Sequence, residues 1–329
     1  MSHITVDRPV RWGFLGAGGI AASMAADLGH GNNTLYAVAS RDPERSASFA
    51  ERFGATRSHD DYRSLVQDPD VDIVYVATTH PFHREQALMA IEAGKHVLIE
   101  KPLALNAAHA REVLTAARRT GVFAMEAVWM RANPLILKAR QLVAEGAIGN
   151  VVAVHADFSI EVAFDPSHRL YDLSNGGGAL LDLGIYPIHF AWLFLGHPDF
   201  QQVLGTLSPT GSDAVVALQW GYRSGAIAQL RAATTAWTPG RATVAGTTGS
   251  ISAEPWFLNP ERLVVTTEEG EYTVEGEGTT YGPQIQEVER CVREGLLESP
   301  LAPHADTIAA LELIDQARAD LGVRYPAES

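Results

Sequence analysis

The sequence predicts two domains of different class: an α/β domain with a doubly wound parallel sheet over residues 1–126, and an α+β domain with an open, mostly antiparallel sheet over 127–329. Three observations carry this. The apolar run Val10-Arg11-Trp12-Gly13-Phe14-Leu15 ends in a glycine turn and passes straight into a helical stretch. Strand and helix patterns then alternate as far as Glu126. Beyond Asn150 they give way to strands joined by turns such as Ser224-Gly225 and Glu269-Gly270, as in antiparallel hairpins. A chain of 329 residues, 46% hydrophobic and with 29 glycines, is long enough for two cores and suits a turn-rich fold.

The glycine turn is Gly16-x-Gly18-x-x-Ala21. Gly16 permits the turn, Gly18 lets a pyrophosphate approach the backbone, and Ala21 lets the helix pack close on the strand. The free N–H groups and positive end of that helix, from Gly18, Gly19 and Ile20 onward, then face the phosphates. Thr34–Ala39 is a second strand, ending at Ser40-Arg41-Asp42 beside the expected adenosine ribose. NAD sites usually place a carboxylate there. Ser40 and Arg41 are instead a hydroxyl and a cation suited to a 2′-phosphate, which favours NADP, with NAD still possible. Asp42 stands before Pro43-Glu44 and reads as the cap of a helix over 43–53, with a ribose acid one position late as the alternative.

A short helix with an acidic start follows at 59–66, then a buried strand at 71–77. Its end, Thr78-Thr79-His80, should line the cofactor cleft, because the carboxyl ends of parallel strands face the ligand crevice. His83, one turn into the helix that runs to Ala93, reads as a packing or hydrogen-bonding residue at the same edge. The strand 94–100 stops at Glu100-Lys101-Pro102. Proline holds the residue before it extended, so Lys101 is positioned to point into the crevice. A helix at 106–119 and a strand at 122–126 close this Rossmann-like half.

In the second half, strands are expected at 150–160, 214–222, 226–233, 242–245, 263–267 and 271–274, with closing helices at 283–294 and 305–321. Between them, Gly176-Gly177-Gly178 opens an apolar helix that continues to Leu195. Its few polar residues stand out. Asp182 and Tyr186 are four apart on one face, and His189 is three further along. Pro187 should kink the helix where Tyr186 projects. A buried carboxylate needs a partner, and Lys101 is the expected one for Asp182.

These pieces together resemble the Gfo/Idh/MocA family of NAD(P)-dependent oxidoreductases. The resemblance rests on the early G-x-G-x-x-A, on Glu100-Lys101-Pro102 and on Gly176–Tyr186. Three more stretches are similar to the branch of dimeric dihydrodiol dehydrogenases and NADP-dependent aldose (D-xylose) dehydrogenases: Thr79–His83, Met125–Arg131 and Glu298-Ser299-Pro300. The resemblance implies a Lys–Asp–Tyr site at Lys101, Asp182 and Tyr186, which also touch the substrate, and places Trp129 and Arg131 near the nicotinamide. It implies a sheet whose outer face often forms a dimer interface. Phe158 and Trp256 fall roughly where the branch has pocket aromatics, with core packing the alternative. Ala132-Asn133 departs from the aromatics usual after that arginine.

Such a site implies hydride exchange with a sugar, polyol or dihydrodiol. Tyr186 would be the proton donor and acceptor, Lys101 would tune it and bind the substrate oxygen, and Asp182 would orient Lys101. His189 is the reserve proton carrier, though it reads first as a core histidine. The loop 159–174 should border the pocket, with Arg169 or Tyr171 reaching in. Two alternatives stay open: a sugar oxidoreductase that retains its cofactor, and an NADP-binding sensor with weakened catalysis. The net charge of −14 argues against nucleic acid or an anionic membrane as the main partner. The scattered histidines show no metal-ligand spacing. The lone Cys291 fits a reducing compartment and reads as a buried structural thiol. Residues 1–8 lack a signal-peptide core, and no apolar run is read as a membrane span, so a cytoplasmic protein is expected.

Overall fold

The computed structural model describes residues 8–28, 33–276, 278 and 280–328; the polar amino-terminal stretch, apart from Arg8, lies outside them. The chain divides into two compact units, 1–128 with 280–308, and 129–279 with 309–329.

In the first unit, β1 (Val10–Leu15), α1 (Gly19–Leu28), β2 (Asn33–Ala39), α2 (Pro43–Phe53), β3 (Arg57–His59), α3 (Tyr62–Gln67), β4 (Ile73–Val76), α4 (His83–Glu92), β5 (His96–Glu100), α5 (Ala107–Thr120) and β6 (Ala124–Ala127) follow in order. The strands form one parallel sheet in the order β3-β2-β1-β4-β5-β6. That order reverses between β1 and β4, where the two halves of a doubly wound sheet part and leave a crevice at the strand ends. The short β3 was absent from the sequence reading, because Arg-Ser-His carries no apolar pattern. Helix boundaries follow side-chain caps: Asp42 accepts from the Glu44 and Arg45 amides, Asp61 from Ser64, and Asn106 from His109.

In the second unit, α6 (Pro134–Ala144) and β7 (Val151–Ser159) precede a π-helical stretch (Leu180–Gly184) that runs into α7 (Ile185–Leu195). There follow β8 (Phe200–Leu207), β9 (Asp213–Gly221), β10 (Ile227–Ala233), β11 (Ala242–Gly246), β12 (Gly249–Glu254), β13 (Arg262–Thr267) and β14 (Gly270–Glu275). The eight-stranded sheet runs β14-β13-β12-β11-β7-β10-β9-β8, with β7 and β10 parallel and every other pair antiparallel. The sequence reading lacked α6, β8 and β12. Glycine and glutamine dilute β8, and the serines of β12 hide its alternation.

Of the helices expected to close this domain, α8 (Gly282–Arg293) packs elsewhere. Its Ile285, Val288, Cys291 and Val292 join Val10, Trp12 and Phe14 in one core cluster of the first unit. The carboxyl-terminal helix α9 (His304–Leu321) contributes to the second unit from Ala309 onward. The chain therefore returns to its first unit before ending in the second.

Residues Leu173–Leu195 correct a further expectation: by length and mean hydropathy of 1.4 they are apolar enough to cross a membrane, yet 78% of that window is buried inside the protein. They are a core helix. Its amino half packs on β10 through Ala179, Leu183 and Ala232, with Phe158 against them. The irregularity predicted at Pro187 lies one turn earlier, in the π-helical stretch. Pro187 follows that stretch directly, three residues into α7, so the irregular turn falls where proline's missing N–H interrupts the bonding ladder.

Candidate active site

The first unit holds a cradle for a dinucleotide. Gly16 sits at φ +110°, with its amide bonded to the Ala39 carbonyl at 2.8 Å. A Cβ there would lie 2.7 Å from the Ala77 carbonyl oxygen, so only glycine fits. Gly18 and Gly19 are the opposite case: a Cβ at either meets nothing within 4 Å. Open backbone at the first residues of α1 is what a pyrophosphate requires, and buried Ala21 brings the helix close to the sheet. Ile20 follows in the first turn, half-buried. These residues fit the phosphates of a nicotinamide dinucleotide.

At the tip of β2 the structure sorts the three residues that the sequence left together. Asp42 caps α2, its Oδ1 accepting both the Glu44 and Arg45 amides. Ser40 is buried, and its hydroxyl donates to the Asp42 carbonyl and accepts from the Asp42 amide at 3.1 Å. Arg41 stays exposed, its guanidinium 5.4 Å from the centre of the Phe82 ring. Arg45, which sequence reasoning missed, donates from Nε to the Ala17 carbonyl inside the glycine turn at 3.0 Å. Only the fold brings α2 back to that loop.

Beyond β4, the Thr78 hydroxyl donates to Gln86 Oε1 at 2.7 Å, and Thr79 precedes the short helical turn His80–Phe82. His83 is fully enclosed, with its ring nitrogens 2.9 Å from the Pro102 carbonyl and 3.0 Å from the Thr78 carbonyl. Burial pulls its pKa below the ordinary histidine value, and the two carbonyls oppose the shift. His83 thus ties the end of β4 to the Lys101-Pro102 turn. Glu100 accepts from the Tyr75 hydroxyl and, at 3.2 Å, from the Lys101 amide. Glu126 braces the same edge, accepting from the Leu103 amide at 2.8 Å and the Thr307 hydroxyl at 2.9 Å.

The second unit holds the phenol. Trp129 Nε1 donates to Tyr186 Oη at 2.9 Å, and one turn on Arg131 Nη1 meets His189 Nδ1 at 3.1 Å. The short helix Trp129–Ala132 thus runs beside α7 and matches it rung for rung. Guanidinium only donates, so His189 Nδ1 accepts and its proton lies on Nε2. His189 is buried on α7 with a permanent cation against that nitrogen. Phe158 lies edge-on to Tyr186 at 5.7 Å between ring centres, and Trp256 stands 6.1 Å from Phe158 and 5.8 Å from Trp129. Of the two aromatics that the sequence left between pocket and core, Phe158 packs on the phenol ring, and Trp256, 39% exposed, packs on Phe158 and Trp129.

Asp182 is buried, and both its oxygens accept from Arg169 at 3.0 and 3.1 Å. A two-pronged pair of this kind fixes orientation as well as charge. Sequence reasoning placed Arg169 only at the pocket margin; its loop has no periodicity that could have identified the partner. Tyr171, the other residue expected to reach in, is buried in the loop and donates to the Val162 carbonyl at 2.7 Å. Asn133, the departure after Arg131, caps α6 and donates to Asn259 at 2.9 Å.

The family model "Oxidoreductase family, NAD-binding Rossmann fold" matches residues 10–128, and "GFO/IDH/MocA C-terminal domain" matches 136–252. Trans-1,2-dihydrobenzene-1,2-diol dehydrogenase of Mus musculus is 34% identical, over 96% of this chain and 98% of its own; that of Xenopus tropicalis is 33% identical, over 96% and 99%. The chain belongs to the Gfo/Idh/MocA family of oxidoreductases. Among solved structures, the 3-ketoreductase KijD10 of Actinomadura kijaniata, in complex with NADP and TDP-benzene, aligns with TM-score 0.84 at 27% identity over 95% of this chain and 98% of its own. The aldose-aldose oxidoreductase of Caulobacter crescentus, complexed with glycerol, aligns with TM-score 0.87 at 25% identity over 96% and 98%. This Gfo/Idh/MocA chain is an NAD(P)-dependent oxidoreductase, and its parallel six-stranded and mostly antiparallel eight-stranded sheets match the family's fold.

Proposed function

We propose that this protein is an NADP-dependent dehydrogenase for a hydroxyl of a sugar or dihydrodiol, with Lys101, Asp182 and Tyr186 as its working residues. The observation that supports it most is Tyr186 Oη, held by the Trp129 indole within an aromatic enclosure and one turn from a buried carboxylate. A donor aimed at the phenol oxygen favours the state in which that oxygen carries more negative charge. NADP, when bound, accepts or returns the hydride. In oxidation Tyr186 Oη takes the substrate's hydroxyl proton, and in reduction it gives the proton back to the carbonyl oxygen. Lys101 binds that oxygen. Asp182, oriented by Arg169, holds the charge balance around it. Incubation with NADP⁺ or NAD⁺ and a panel of aldoses and trans-dihydrodiols, followed by reduced-nicotinamide absorbance, tests this. No reduction with any of them would leave the NADP-binding sensor.

The choice of NADP rests on Arg41, exposed at the end of β2 where an NAD site would usually hold a carboxylate. Arg41→Ala should raise KM for NADP⁺ about 10- to 100-fold, the worth of a charge-assisted bond to a phosphate, and leave KM for NAD⁺ nearly unchanged. Equal effects on both cofactors would refute the assignment. A second reading, retention of the cofactor between two sugar substrates, is favoured by the likeness to an aldose-aldose oxidoreductase. Nicotinamide persisting through purification would select it.

A homodimer is proposed across the outer face of the eight-stranded sheet. Phe200 and Leu204 on β8 are 63% and 78% exposed, and Ile227 on β10 stands out on the same face. Between them lies a shallow depression of about 450 Å³, lined by His155, Asp157, Gln219, Gln229 and Arg231. Apolar side chains rimmed by polar ones mark an association surface. Leu204→Arg should halve the mass seen by light scattering and leave the fold intact; an unchanged mass would exclude this face. A reducing, cytoplasmic setting is proposed from the lone Cys291, which is buried and whose thiol burial pushes up to about 12, with Glu287 adding to the shift.

A further inference from the structure

We propose that Asp213, on β9, is a positioning residue for the helix that carries Asp182 and Tyr186, capping that helix from a distance and held in place by the carboxyl-terminal segment. A helix begins with amide donors that have no partner in the helix. Here the residues before it are Gly176-Gly177-Gly178-Ala179, which have no side-chain oxygen to offer, and no local cap bond forms. The need is met from 33 residues away: Asp213 Oδ2 accepts the Leu180 amide at 2.5 Å. Gly178 makes the room. A Cβ there would fall 2.2 Å from Asp213 Oδ1, so the carboxyl fills the space a side chain would take.

Asp213 is wholly buried, and among the described residues its Oδ1 has no hydrogen-bond partner. Nothing in the hydride chemistry above uses it. The carboxyl-terminal segment supplies what faces it. Arg318 of α9 is 6% exposed, pairs with Asp315 and Glu328 at 2.8 Å each, and lies 4.6 Å from the Tyr325 ring centre. Tyr325 is buried beneath it, its hydroxyl without a partner among the described residues. Burial pushes the Tyr325 phenol well up, and Asp213, Glu328 and Asp182 add to the shift while Arg318 opposes it. The cap and the carboxylate beside the phenol are therefore within electrostatic reach of the same tyrosine.

Burial pushes the Asp213 carboxyl up to about 7, against the Leu180 amide, its own amide, Arg318 and the Ala179 amide. A folded-state pKa above the unfolded one means the native protein holds the extra proton, so stability from this group is greatest below about pH 4 and falls as pH rises toward 7. Asp213→Asn keeps a carbonyl acceptor for Leu180 and cannot titrate, so it should flatten that part of the melting-temperature profile.

The turnover part of the test rests on the catalytic reading of Tyr186; the exchange part does not. Asp213→Ala should speed backbone hydrogen exchange at residues 179–186 at least tenfold with β9 and β10 nearly unchanged. It should also lower kcat about 10- to 100-fold, the cost of a small misplacement, with KM for NADP⁺ unaltered. Asp213→Asn should restore both. Wild-type exchange at 179–186 in Asp213→Ala overturns the proposal. So does an alanine variant whose exchange rises throughout the unit, or an asparagine variant that rescues neither reading. If the wild type oxidises no alcohol, the catalytic reading fails, and local exchange with its rescue still decides for or against the cap.

Discussion

Tyr186→Phe should cut kcat by about 10²- to 10⁴-fold, the range lost when a positioned acid–base is removed, while NADPH binds as before. The substitution deletes one oxygen. It preserves the ring that packs edge-on to Phe158, so the enclosure keeps its shape. Trp129 Nε1 loses this acceptor, a cost of about 1 kcal/mol that shifts the melting temperature by a few degrees without unfolding the unit. Steady-state turnover with saturating NADP⁺, set beside NADPH fluorescence titration, separates chemistry from binding. Turnover within a factor of a few of wild type would show that some other group moves the proton. His189 would be the next group to test, through Nε2, since its Nδ1 already faces Arg131.

The glycine turn offers a contrast of comparable size. Gly16→Ala should damage fold and cofactor binding together, because its φ of +110° disfavours any side chain and its new Cβ would meet the Ala77 carbonyl. The backbone cannot easily yield, since the Gly16 amide is bonded to Ala39 and the Ala77 amide to Leu15, across both neighbouring strands. Strain of about 1–3 kcal/mol, with the clash added, should lower the melting temperature clearly and weaken NADP⁺ binding about 100-fold or more. Gly18→Ala should weaken binding to a similar degree with stability nearly untouched, because its Cβ meets no protein atom within 4 Å and only a phosphate would meet it. Equal melting losses in both variants, or unchanged NADP⁺ affinity in Gly18→Ala, would show that the pyrophosphate lies elsewhere.

Much of the fold could be read along the chain because the signals were local. Asp42-Pro43 announces a helix start, and the structure begins α2 at Pro43. Buried parallel strands show as continuous apolar runs, and β4 and β5 are such runs. What escaped carried mixed or polar patterns: β3 with Arg-Ser-His, β8 with two glutamines and a glycine, β12 with two serines. The site divides in the same way. Residues lying on a regular element or in a dense motif were nominated from the sequence, Tyr186 and Asp182 by helical spacing and Lys101 by its place at a strand end. Arg169, Arg45 and Asp213 were not assigned their roles, since each acts on a partner brought to it by the chain's path.

The linear order of residues by itself determined the glycine turn, the alternation of the first unit, the apolar helix with its spaced Asp182 and Tyr186, and hence the family to which the chain belongs. These depend on contacts within a few residues, whose periodicity is written directly in the chain. Tertiary structure alone decided that α8 packs with the first unit, that Asp182 is gripped by Arg169, that Trp129 and Arg131 answer Tyr186 and His189, and that a carboxyl from β9 caps a helix that begins in glycine. Each of those is a buried polar group or apolar face finding its partner across a long loop. Burial dictates that such a group have a partner, but only the packed chain dictates which.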